Sequence, residues 1–146
     1  MQKGFNALIL LCALAGHAEA EPVSNYEIIA RLTQAPGNVT AIGAGRIIMS
    51  QHQFYEPQYS VVERQADNSL TPFPNKELND RTSPSGLKLD SVLGIRTDAN
   101  GVVWMLDDGM RSGVTPKLVG WDTKTDKLHR VIYFPVPIAP KGRLRQ

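Results

Sequence analysis

Cysteine is almost absent from this chain of 146 residues, with a single copy at Cys12. That copy lies in the apolar run 7–15 near the start, so the rest of the chain offers no thiol for a disulfide, a nucleophile or a cysteine-bound metal. Charge of one sign is lacking too. The 16 Lys and Arg against 14 Asp and Glu leave a net +2, too even for a nucleic-acid footprint. The one basic cluster, Lys141, Arg143 and Arg145, reads as a solvated tail. No apolar run approaches the roughly 20 residues that cross a bilayer. Nor is there a Ser-His-Asp order, a Cys/His zinc spacing or a phosphate loop. Gly43-Ala44-Gly45 follows a strand, but no helix follows it. With 12 glycines and 10 prolines the composition is that of an ordinary globular chain, neither collagen-like nor strongly disordered.

The beginning reads as an export signal. Lys3 supplies the positive start, 7–15 the apolar core, and Ala18-Glu19-Ala20 a small-residue cleavage site. Cleavage after Ala20 divides the chain into a signal peptide over 1–20 and a mature part over 21–146 that carries no cysteine. The expected location is secreted or periplasmic, with no membrane attachment after cleavage. Bulky Leu11 before Cys12 argues against a lipid anchor there.

Beyond that point, short segments rich in Val, Ile, Tyr and Trp recur between Gly, Pro, Asn and Asp. The pattern predicts strands over 39–42, 46–50, 59–64, 70–73, 91–98, 102–106, 117–122 and 127–134. Asn100-Gly101 marks a tight hairpin. Helical periodicity is weak and confined to 25–32. The segments repeat: Gly45-Arg-Ile-Ile-Met-Ser50 aligns with Gly101-Val-Val-Trp-Met-Leu106, and Phe73-Pro74 with Phe134-Pro135. An all-β, antiparallel fold follows. Two four-stranded units read as propeller blades, and one eight-stranded sandwich is the competing arrangement.

Several separated motifs carry a family resemblance. The stretch 89–109, Leu-Asp-Ser-Val-Leu-Gly-Ile-Arg-Thr-Asp-Ala-Asn-Gly-Val-Val-Trp-Met-Leu-Asp-Asp-Gly, resembles the yellow / major royal jelly protein family. Pro116-Lys-Leu-Val-Gly-Trp-Asp122, Gly45-Arg-Ile-Ile-Met-Ser50 and Phe73-Pro74-Asn75 fit the same pattern in the same order. The likeness spans about 38–135 and is nearest to bacterial members described as dopachrome-tautomerase-related. The resemblance implies a six-bladed propeller, of which this sequence supplies about two blades as an incomplete, N-terminal part. It implies that the full-length propeller acts on a small aromatic molecule as a tautomerase, with this fragment expected to be inactive by itself. A divalent-cation-dependent lactonase and a non-catalytic secreted binding protein are the alternatives. An open pair of blades leaves strand edges bare, so such a piece is expected to be marginal by itself.

On a blade pair, the loops that gather at one channel mouth hold 51–53 and 107–111, and Asn38 and Asp90-Ser91 start the inner strands. His52 is the leading catalytic candidate, since an imidazole gives and takes protons near neutrality. Asp108 is its carboxylate partner. Asn38, Gln53, Asp90, Asp107 and Arg111 are the ligand-binding candidates for a small-molecule partner. Plainer readings stand beside these: His52 capping a turn, and Asp107-Asp108-Gly109 forming a side-chain-capped turn. Asp107-Asp108 could also form half of a divalent-cation site. Asn38 has no glutamate beside it, so no metal ligands are assigned and the cofactor stays open.

Overall fold

A computed structural model describes residues 27–139. The signal-peptide reading, Cys12 and the basic cluster at 141–145 lie outside these residues. Among the described residues eight strands form two antiparallel four-stranded sheets, with two 3-10 turns and no α-helix. Glu27–Leu32, part of the weakly helical stretch, is irregular. With no packed apolar stripe to reward it, so short a helix is not stable by itself.

The first sheet is β1 (Pro36–Ile42), β2 (Arg46–Gln51), β3 (Val61–Arg64) and β4 (Leu70–Pro72), ordered as in the chain. The second is β5 (Val92–Thr97), β6 (Val102–Asp107), β7 (Lys117–Asp122) and β8 (Lys127–Tyr133), ordered likewise. Sequential order follows from short turns, and carboxylates fasten these. Asp98 accepts from the Asn100 and Val102 amides, Asp67 from Ser69, and Asp122 from Lys124. Gly101, at φ +85°, supplies the left-handed step of the β5–β6 hairpin.

The sheets meet along their first strands. Thr40 and Thr97 hydroxyls lie 2.8 Å apart, and Ser50 Oγ donates to the Leu93 carbonyl at 2.7 Å. Between the sheets Ile48 and Val61 join Ile95, Val103, Met105, Val119 and Trp121 in one core. The connection from β4 to β5 runs into this core, contributing Phe73, Leu78 and Leu89. Buried Asn79 fixes it. Its Oδ1 accepts from the Ser60 and Val61 amides, and its Nδ2 donates to the Phe73 and Asn75 carbonyls.

Candidate functional site

The sheets bring the ends of β2, β5 and β6 together, and the loops there are tied by side chains. Asp107, the last residue of β6, is fully buried. Its carboxylate accepts from the Asp90, Ser91 and Gly109 amides, each at 2.9 Å, and from Lys117 Nζ at 2.7 Å. Lys117 is itself completely enclosed. Low dielectric makes such a pair strong only when every lone pair and proton has a partner, and here the carboxylate accepts four bonds. Asp107 therefore joins β5, β6 and β7 from inside.

Asp90 does the same one layer outward. It accepts from the Arg111 and Ser112 amides at 2.9 Å and from the Ser112 hydroxyl, which shapes the 109–113 loop. Gly109 enables the turn. Its φ is +63°, and a Cβ there would fall 2.1 Å from the Val114 carbonyl oxygen. The 51–56 loop closes on this frame from the first sheet. Gln53 Oε1 accepts from the Ser91 hydroxyl, and Arg111 Nη1 donates to the Gln53 carbonyl at 3.2 Å.

Asp108 is the carboxylate of this end with the most chemical freedom. It is 8% exposed and accepts from the Met110 amide at 3.0 Å. Burial raises its proton affinity above the ordinary carboxylate value. The bonds from Met110 and Ser91 oppose that rise, and the neighbouring charges of Asp107 and Asp90 add to it. The Asp107-Asp108-Gly109 step is thus a side-chain-capped turn as well as a cluster of acids.

His52 caps the 3-10 turn Gln53–Tyr55, with Nδ1 accepting from the Phe54 amide at 3.3 Å. Its ring lies 4.5 Å from that of Phe54 and 6.1 Å from that of Tyr55, centroid to centroid. An acceptor Nδ1 leaves the neutral ring's proton on Nε2. Asn38 stands apart from the acid cluster. It lies within β1 opposite Ser50, and its Oδ1 accepts from the adjacent Val39 amide. It borders a shallow cleft shared with Gly94, Trp104 and Leu118. The structure therefore brings together Gln53, Asp90, Asp107, Asp108 and Arg111, with His52 one residue away along the loop, while Asn38 lies in β1 opposite Ser50.

Two residues of this end escaped the sequence reading. Lys117 had a signal: it shares the core-facing side of β7 with Val119 and Trp121, where a lysine is out of place. Arg81, from the β4–β5 connection, had none. Its Nε and Nη2 are buried without a hydrogen-bond partner. Burial and the Arg111 charge lower its proton affinity, while Asp90 and Glu56 act in the opposite sense. The Arg81 guanidinium thus lies within reach of the charges of Arg111, Asp90 and Glu56. No group of three or more His, Cys, Asp or Glu side chains that could hold a metal ion occurs among the described residues. No protein-family model matches the chain, and no curated protein matches it.

Proposed function

We propose that this chain forms two blades of an exported propeller of the yellow / major royal jelly type, acting on a small aromatic molecule as a tautomerase. The sheets support blades because each is a four-stranded meander and they meet along β1 and β5. The β4–β5 connection adds Phe73, Leu78 and Leu89 to the core between them. The observation that carries the chemistry is Asp108, a buried carboxylate with raised proton affinity where the loops of both sheets gather.

Tautomerisation moves one proton from carbon to oxygen and leaves composition and oxidation state unchanged. Asp108 is the base that takes the carbon-bound proton, and its raised proton affinity favours that transfer. His52 steadies the developing oxyanion by a hydrogen bond from Nε2–H, since Nδ1 is held by Phe54, and the protonated Asp108 then delivers the same proton to that oxygen. Arg111 and Arg81 suit an anionic group on the same molecule.

The test follows aminochrome conversion by absorbance in the full-length propeller. Asp108→Asn keeps the turn to Met110 but cannot take a proton, and turnover should fall about a hundredfold or more. His52→Ala should lower it as well. Unchanged turnover in Asp108→Asn would remove the tautomerase reading.

A further inference from the structure

The two sheets are repeats that already pack on one another, front to back, and among the described residues the same contact is left open on the outer side of each sheet. The first sheet presents Thr40, Ile48, Ser50 and Val61 to the second, which meets them with Leu93, Ile95, Thr97 and Met105. The internal alignment pairs Ile48 with Trp104 and Ser50 with Leu106. Leu118, opposite Leu106, stands where Val61 stands opposite Ser50. Ile48 and Val61 are fully buried between the sheets, yet Trp104 and Leu118 line a shallow cleft of about 240 Å³ on the outer side. Ile132, next in register after Leu118, is 39% exposed.

The back of the first sheet shows the converse. Val39 is the repeat mate of Ile95; Ile95 is 6% exposed in the core, whereas Val39 is 49% exposed. Met49 and Val62 lie in register with Val39 on that side and are already buried, and Gln34 borders the same cleft as Val62. The chain therefore carries an open front on the second sheet and a partly open back on the first, exposed at Val39 and covered at Met49 and Val62. The complementarity of front to back is established by its own interior.

We infer that these two faces bind each other between copies: the front of one chain's second sheet takes the back of a second copy's first sheet. The contact is continuous with the packing inside each chain. Being heterologous, it generates a closed ring if the rotation closes and a longer series otherwise. It rests on the two sheets being successive units of one stacked series, as in the proposed function, and not on the chemistry proposed there.

Sedimentation velocity over a range of concentrations tests this, since association is read without any turnover. The full chain should sediment above its monomer mass, increasingly so with concentration. Leu118→Glu disables the front and Val39→Glu disables the back, so each variant alone should be a monomer. An equal mixture should form a dimer, because one variant keeps its back and the other its front. Circular dichroism confirms the strands of each variant, and Ile132→Glu replaces Leu118→Glu should the latter unfold. A wild-type chain that stays monomeric throughout overturns the inference. So does association that survives Val39→Glu but not Leu118→Glu, which would mean front against front.

Discussion

Asp107 has no surface to offer a ligand, and its neighbour Asp108 has a buried carboxyl whose proton is harder to remove. That contrast between adjacent residues sets what each substitution does. Lys117→Met removes the cation paired with a carboxylate that has no solvent access, leaving three amides to hold a buried charge. Breaking a buried pair in this way costs about 3–5 kcal/mol, to be measured by denaturant unfolding. Asp108→Asn acts oppositely on stability. The raised proton affinity means that, from the ordinary 3.8 upward to its folded value, the native state binds more protons than the unfolded one. Stability therefore falls as pH rises through that interval, and the full penalty remains above it. The Asn variant escapes the penalty. Its melting temperature should exceed the parent's at pH 7, and the gap should close as pH drops below 3.8. Higher stability with lower turnover would mark Asp108 as a functional carboxylate.

At the scale of elements, the eight strands were legible because β-branched and aromatic runs alternate with turn residues of definite chemistry. Asn100-Gly101 placed a turn that the structure fastens through Asp98, which accepts from the Asn100 and Val102 amides. Boundaries moved by a few residues: β1 begins at Pro36 and not at 39, and β3 at Val61 and not at 59. The start of β1 is polar and half-exposed, so no apolar pattern announces it. The loops were legible only as positions. That 51–53 and 107–111 approach one another depends on the packing of the sheets, which Ser50–Leu93 and Gln53–Ser91 bonds secure across long sequence separations. Gly109 is where loop and strand meet. Gly109→Ala forces a side chain onto the Val114 carbonyl at positive φ, so the 108–113 turn must shift. The expected cost is about 1–3 kcal/mol in unfolding free energy, with loss of amide-exchange protection at Arg111 and Ser112, whose amides Asp90 holds.

At the scale of the molecule, the repeat was visible in the pairing of Gly45 with Gly101 and foretold two similar sheets. What lies between the repeats was not visible. The stretch from Phe73 to Leu89 looks like a polar connection rich in Asn, Pro and Ser, yet Asn79 is 1% exposed and all its amide atoms are engaged. A buried amide that satisfies two backbone donors and two carbonyls gives no periodic sign in a sequence. The practical meaning concerns how the chain can be divided. A module cut at Pro72, where the first sheet ends, would leave the Ser60 and Val61 amides unanswered and forfeit Phe73 and Leu89 from its interior. The smallest unit able to keep the first sheet intact thus reaches to the threshold of β5, and the natural seam of this protein falls beyond Leu89 and not at the end of β4.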